Sequence, residues 1–402
     1  MSVRTNALAC AVALAAGHTV AAQALRPLTL TEAVDSAVAR GTRVALARAD
    51  SATARAGLTA AREWPNPTLS FQYTRDTPHY HGFIDFPIDY PWLRSARIHS
   101  ASLANRSAGY KFAFERAAAR FDAETTYVRA QVAQEHARLS HVNGIYADSL
   151  HRLALVRREA GDASELDVEL ATVTAGQAAN AAAADSLAAI GAVLDLQALL
   201  GMPSDQVSVS LADSLSLVAP AAGDTAVGRT LQVAAAEEAL GSEQAALSVA
   251  KRSAFATPSL TLGVEGGDPT QPYPLPAATL TFPFPLFNQN GGQVGTERAN
   301  VSRAQAELAR ARRESAAAIA AANRELASAL VRARRDRGLL ESANRVAAMS
   351  LTAFAEGAQA LPSVLEARKS ARDALVQYVD DVGAAAAAAA AVRLFTSKVG
   401  DQ

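Results

Sequence analysis

The 402-residue chain is poor in aromatics (5%), has a single cysteine, and confines proline and glycine to a few clusters. That cysteine, Cys10, lies inside an N-terminal apolar run, so the rest of the chain offers no disulfide and no thiolate metal site. Between Pro91 and Pro203, and between Pro285 and Pro362, there is no proline at all. Stretches that long, rich in Ala, Leu, Glu and Arg, suit extended helices and argue against a set of ordinary globules. The formal charge of −1 excludes the basic footprint that nucleic-acid binding needs. Walker loops, HExxH pairs and serine elbows are absent, so no enzyme, catalytic residue or cofactor is expected. Past the N-terminal run no segment holds about 18 consecutive apolar residues, and no membrane-spanning helix is expected. A chain of this kind that crosses a membrane has to do so with strands closed into a barrel.

The N-terminus pairs Arg4 with an apolar run over residues 7–16 and closes on Val20-Ala21-Ala22-Gln23-Ala24, an A-x-A-like cleavage pattern. Residues 1–24 are therefore expected to be a secretory signal. A lipoprotein cysteine would follow the apolar run, and Cys10 lies within it, so acylation is not expected.

The remainder is written twice. Phe86 and Phe282, each before a Pro and a long helical stretch, are 196 positions apart, and so are Gly161 and Gly357, which open GDASELDVELA and GAQALPSVLEA. Pro67-Thr68-Leu69 and Pro258-Ser259-Leu260 repeat at nearly the same offset. This order predicts two structural repeats, residues 25–220 and 221–402. Each has a helical segment (about 30–62 and 226–252), two strands, a long helix (95–160 and 294–356), a Gly-centred turn and a returning helix. Residues 207–217 are expected to form a short extended link between them. A helix over 95–160 would be about 100 Å long and needs coiled-coil partners along its length, with alanines such as those of 384–391 as a candidate close-packed seam.

The expected strands alternate. Leu69, Phe71 and Tyr73 oppose Ser70, Gln72 and Thr74, and Ile84, Phe86, Ile88 and Tyr90 oppose Asp85, Pro87 and Asp89. Leu260, Leu262 and Val264 oppose Thr261, Gly263 and Glu265, and Leu280, Phe282 and Phe284 oppose Thr279, Thr281 and Pro283. One apolar and one polar face suit a sandwich as well as a lipid-facing barrel. Two features favour the barrel: carboxylates on the polar faces, and Trp64, Trp92, Phe255 and Phe287 at the helix-side strand ends, where an interfacial girdle would lie. Asp85, Asp89 and Glu265 are candidate lumen residues tuning a cation-friendly pore, with solvated surface carboxylates as the simpler alternative. Four strands cannot close a barrel, since transmembrane barrels begin at eight, so several chains must contribute. His79 and His81 form the closest histidine pair, for which a polar loop is the plainer reading than a metal site.

On these residues the chain resembles the TolC-like family of outer-membrane efflux proteins. Leu30-Thr31-Glu32-Ala33-Val34 resembles the family's N-terminal opening and Pro65-Asn66-Pro67 the entry to its first strand. Residues 283–292, PFPLFNQNGG, resemble its most recognisable segment, in a form commonest in the branch similar to CzcC and CusC. The resemblance implies a mainly α fold with a small β part. It implies a homotrimer whose four strands per subunit form a twelve-stranded barrel in outer-membrane lipid, continued by a periplasmic α-helical barrel. It further implies a periplasmic adaptor protein and an inner-membrane transporter of the RND type as partners, no nucleic acid, and export of small solutes such as metal ions or drugs. A type I protein secretion duct shares the architecture and remains the alternative. Gly161 and Gly357 hold the family's adaptor-contact tip positions. At the family's periplasmic gate stand Glu366, Ser363 and, in the first repeat, Asp167, while Gln359 occupies a place where some members carry a gating arginine. A periplasmic adaptor would have one helical hairpin rather than two, and a purely structural coiled coil would lack the alternating strands.

Overall fold

The structure, a computed structural model, describes residues 25–216, 229–254 and 257–399. The expected signal segment 1–24, Phe255 and the expected boundary at 220/221 lie outside the described residues.

Two antiparallel helical hairpins make up most of the chain. In the first, α3 (Pro91–Glu159) runs for 69 residues, about 100 Å at 1.5 Å per residue, and α4 (Glu165–Leu199) returns beside it. In the second, α6 (Gly291–Ala355) runs for 65 residues and α7 (Leu361–Thr396) returns. Pro91 sits in the first turn of α3, where its missing N–H would have had no helical partner anyway. The two turns share one geometry. Gly161 (φ 84°) and Gly357 (φ 76°) take the left-handed conformation that closes a helix. Asp162 N–H donates to Arg157 O, and Ala358 N–H to Ala353 O, both at 2.8 Å, the six-to-one bond of a Schellman ending.

Two shorter helices, α1 (Leu30–Arg40) and α2 (Thr42–Arg62), precede the first pair of strands, and α5 (Leu231–Arg252) precedes the second. The sequence suggested one segment over 30–62. Gly41 breaks it by turning to φ −58°, ψ 134°, where an added Cβ would collide with Ala37 O. The strands β2 (Thr68–Tyr73), β3 (Tyr80–Pro87), β5 (Ser259–Gly266) and β6 (Leu275–Thr281) form one antiparallel sheet in the order β2-β3-β5-β6. β6 stops at Thr281, so Phe282 and Phe284 lie past its end. The link between the hairpins carries β4 (Val209–Leu211), which pairs in parallel with β1 (Arg26–Leu28), a strand the sequence did not announce.

Lateral order is the same at every level. Around the hairpins it is α4-α3-α7-α6, and nearer the sheet it is α2-α3-α5-α6. The sheet continues it as β2-β3-β5-β6. The subunit is thus a wall four elements wide, thickened where α1 and the β1–β4 pair pack on α3 and α4. Its buried side chains form separate clusters strung along the wall. Small residues let the helices approach: Ala385, Ala386, Ala388, Ala389 and Ala390 are all buried, and a Cβ on neighbouring Gly383 would lie 2.6 Å from Val132 Cγ2 of α3.

By length and composition α4 and α7 would qualify to cross a membrane, with windows of mean hydropathy 1.4 and 1.3. The sequence reading expected no such helix because no stretch of about 18 residues is apolar throughout. Each is paired along its length with a charged partner, α3 or α6, which could not follow it into hydrocarbon without stranding arginines there.

Candidate functional site

The sheet register sorts the strand residues into two faces. Leu69, Ile84, Leu262 and Ala278 are successive cross-strand partners on one of them. That face is bare: Phe71 is 79% exposed, Leu69 59% and Leu262 43%. Contiguous apolar exposure of this kind needs a cover of lipid or protein. On the other face Thr68, Asp85, Thr261 and Thr279 form one row, and Gln72, His81, Glu265 and Leu275 another. Thr261 Oγ1 donates to Asp85 Oδ1 at 2.6 Å, and His81 Nδ1 lies 3.4 Å from Glu265 Oε1. His81 stacks on Phe83 of its own face, whereas His79 stacks on Tyr73 of the apolar one. The two imidazoles serve different faces, and no metal-ligating group of three is present among the described residues.

Asp89 is a correction to the sequence reading. It lies beyond β3, is buried, and its Oδ2 accepts from Arg97 Nη2 at 2.7 Å. Alternation carries its position onto the polar face on paper, but Pro87 ends the strand and Asp89 turns inward to the junction with α3. That junction is a mesh of side chains on helix ends. Arg97 and Arg94 donate to the last carbonyls of α2, Ala61 (3.2 Å) and Arg62 (2.5 Å). Asn290, at φ 60°, donates to Ala250 O of α5 at 2.8 Å. These groups answer the unsatisfied carbonyls of helix C-termini. Trp64, Trp92 and Phe287 are exposed at this level, Trp64 with the Arg94 guanidinium 4.6 Å from its ring centroid and Trp92 stacked on Tyr90.

At the far end the two hairpin tips touch. Arg157 lies over the Phe354 ring at 4.6 Å and donates to Phe354 O at 3.3 Å, while Val168, Leu361 and Val364 pack with Phe354. A cavity of about 480 Å³ opens between the tips beside Arg157, Asp167, Gly357 and Gln359. Asp167 is a second correction. Its carboxylate is turned back onto the start of α4, accepting from Ser164 N–H (3.1 Å) and Ser164 Oγ (2.7 Å), the capping box of that helix. A helix cap, not a free gate carboxylate, is what the sequence placed there. Ser363 and Glu366 are exposed on α7. Glu366 lines a groove of about 630 Å³ between the hairpins, shared with Tyr146, Arg368, Lys369 and Arg372, so its surroundings are mixed in charge.

No protein-family description and no curated protein matches the chain. Solved structures do. The outer membrane protein VceC from Vibrio cholerae is 14% identical with a TM-score of 0.78, over 92% of this chain and 96% of that one. The outer-membrane channel OprN is 16% identical at 0.77, over 91% and 89%. CusC, whose structures concern transmembrane channel formation, is 15% identical at 0.76, over 93% of each chain. The chain has the TolC-like channel fold. OprN, which shares it, is an outer-membrane channel.

Within this TolC-like fold one polar cluster went unread in the sequence. Asp381 of α7 and Asp336 of α6 are both buried between the helices. Arg332 Nε donates to Asp381 Oδ1 at 2.8 Å, and Gln377 approaches Oδ2 at 3.4 Å. The hydrogen bond to Asp381 and then burial raise the Asp336 pKa above the ordinary carboxylate range. Burial opposes ionisation of Asp381 too, but the bonds from Arg332, Asp336 and Gln377 outweigh it and hold its pKa low. Of the two, Asp336 is therefore the first to take up a proton as pH falls, and Asp381 the one that stays ionised. A raised folded-state pKa contributes stability that is complete below the unfolded carboxylate value and is lost as pH rises through the folded value. Asp336→Asn keeps a donor there at all pH. It should raise stability near neutral pH by about 1 kcal/mol, with the gain vanishing near pH 4; melting curves followed by helical circular dichroism at both pH values check this.

Proposed function

We propose that the chain is one subunit of a homotrimeric outer-membrane duct of a tripartite efflux system, carrying small solutes from periplasm to exterior. The observation that supports it best is the open four-stranded sheet, bare on its apolar face and unpaired at β2 and β6, mounted on a helical wall about 100 Å long. Three copies would give twelve strands, above the eight at which transmembrane barrels begin. In this reading the hairpins stand in the periplasm as an α-helical barrel, built from two repeats over 25–220 and 221–402 after a signal over 1–24. Asp85 and Glu265 line the lumen, and the tips at Gly161 and Gly357 meet a periplasmic adaptor serving an RND-type transporter. The aromatics Trp64, Trp92 and Phe287 sit at the lipid interface, and the same role is proposed for Phe255 from its place in the sequence. The test is purification from membranes, native mass in detergent and conductance in planar bilayers. A trimer that forms stable channels supports the proposal, and a monomer soluble without detergent sinks it.

The gate belongs to the same reading. Glu366, nine residues past Gly357 and exposed on α7, converges in threes near the periplasmic end of the tunnel. A ring of carboxylates attracts cations. Glu366→Gln should lower cation selectivity and weaken block by multivalent cations in bilayers, without loss of trimer. Unchanged selectivity and block would instead assign Glu366 to an outer helix face, as Arg368 and Lys369 beside it would suit.

A further inference from the structure

At the end of the sheet away from the helices, the neighbours of one imidazole fix where its protons go. His81 of β3 stands opposite Gln72 of β2 and Glu265 of β5 on the polar face. Its Nε2 is 3.1 Å from Thr74 Oγ1, at the start of the turn between β2 and β3. That hydroxyl also lies 2.8 Å from Asp76 O and 3.0 Å from Pro78 O. Carbonyl oxygens only accept, so the one hydroxyl proton is committed to them. Toward His81 the hydroxyl therefore accepts, and Nε2 carries the proton between them.

The other ring nitrogen then decides the charge. Nδ1 is 3.4 Å from Glu265 Oε1. A neutral imidazole has one N–H, already used on Thr74, and would turn a bare lone pair toward the carboxylate. The imidazolium has two, and makes the same contact an ion pair. The two side chains are 15% and 31% exposed, so water relieves the mismatch only in part. The other titratable groups at this end lie elsewhere. His79, Tyr73 and Tyr80 are on the apolar side, with His79 and Tyr80 both against the Tyr73 ring. Asp268 accepts from Thr270 N–H and Oγ1 within the loop after β5, and Arg75 and Asp76 are exposed in the turn. Phe83 stacks on the imidazole from its own strand, and Leu275 of β6 stands beyond Glu265. Among the described residues Glu265 is the carboxylate within ion-pair distance of His81.

We infer that His81 and Glu265 form a protonation-dependent charge selector at the outer mouth of the duct. This rests on the proposed channel and adds the regulation of its lumen. With His81 protonated the pair is neutral and ties the turn to β5. With His81 neutral each subunit presents one uncompensated carboxylate, repeated around the mouth in every copy. An imidazole changes charge between about pH 5 and pH 8. The mouth therefore attracts cations at neutral exterior pH and loses that pull as the exterior acidifies.

Two measurements test it, one on the pair and one on the pore. In detergent-solubilised protein carrying isotope-labelled histidine, the His81 magnetic resonance signal is the one missing from His81→Gln, and it reports the titration midpoint. Glu265→Gln should move that midpoint to lower pH, because the carboxylate that favours the imidazolium is gone. An equal midpoint in the two proteins overturns the pairing. In planar bilayers the reversal potential across a salt gradient should shift toward cation selectivity as pH rises from about 5 to about 8. His81→Gln, which keeps an amide N–H for Thr74, should abolish this shift, and His79→Gln on the apolar face should leave it intact. Wild-type channels with no shift, or a shift that survives His81→Gln, overturn the selector. Protein that forms no channel overturns the duct reading and the selector with it, and the midpoints then still decide whether the pair itself exists.

Discussion

Leu262→Arg is expected to keep the protein out of the membrane. Leu262 lies in the row Leu69, Ile84, Leu262, Ala278 and is flanked on its own strand by Leu260 and Val264, so its guanidinium would project from the middle of the apolar face. An arginine on the lipid side of a barrel costs about 2–4 kcal/mol at the midplane and little near the interfaces. In the proposed oligomer the change is repeated in every subunit at one depth, which multiplies the penalty. Thr261→Arg, one residue away on the opposite face, should be tolerated in insertion while altering conductance, because it meets Asp85. Fractionation of outer membranes and heat-modified mobility compare the two. Equal insertion of both variants would reverse or abolish the assigned faces.

Tyr127→Ala should be the most damaging single truncation in the helical part. Among the described residues Tyr127 is the largest fully buried side chain, set in the cluster of Leu28, Ala33, Val34, Val193 and Leu196 where β1 meets α3 and α4. Its hydroxyl donates to Leu28 O at 2.9 Å and lies 3.0 Å from Asp213 Oδ2, which itself accepts from Leu30 N–H at 2.7 Å. Burial raises the phenol's pKa to about 12, so it remains a donor at any working pH. Loss of a buried aromatic costs about 3–5 kcal/mol. Tyr127→Phe keeps the packing and removes only the hydroxyl's bonds, since Leu28 O still accepts from Ala212 N–H and Asp213 Oδ2 from Leu30 N–H, for about 0.5–1.5 kcal/mol. Proteolysis near residues 25–30 and 209–213, together with thermal melting, should rank the variants Ala, Phe, wild type in order of increasing resistance. A Phe variant as fragile as Ala would assign the whole effect to the hydroxyl network.

What could be read from the sequence was whatever carried a period or an obligatory backbone. The strands of the sheet showed because alternation is visible over six to eight residues, and the hairpin turns because only glycine takes a left-handed ending without strain. β1 and β4 escaped because three residues carry no period, and their pairing joins positions far apart in the chain. The break at Gly41 hid because α1 and α2 share one composition. Asp89 misled because alternation ran on past the proline that ends β3, with its partner Arg97 eight residues on and a turn of helix away. Asp167 misled because S-x-x-D before an apolar run is first a capping box. The Asp336–Asp381 pair had a usable signal, as the two stand 21 and 24 places from Gly357 and so face each other across the hairpin it closes.

The constant four-abreast order sets the girth of any tube built from this wall. Neighbouring strands stand about 4.8 Å apart and packed helices about 8–10 Å, so four strands span roughly half the width of four helices. Tilting the strands by about 35–45° recovers only part of the difference. A tube closed from the same number of staves at both levels is therefore a flask, with the sheet as its neck. The shoulder falls where Arg94, Arg97 and Asn290 bind the ends of α2 and α5, which explains why side chains rather than continuous helix span that level. Body and neck are then set by different residues. Enlarging the small side chains between the helices, Gly383 against α3 and Ala385 against α6 first, would widen the flask's belly and leave its neck as it is.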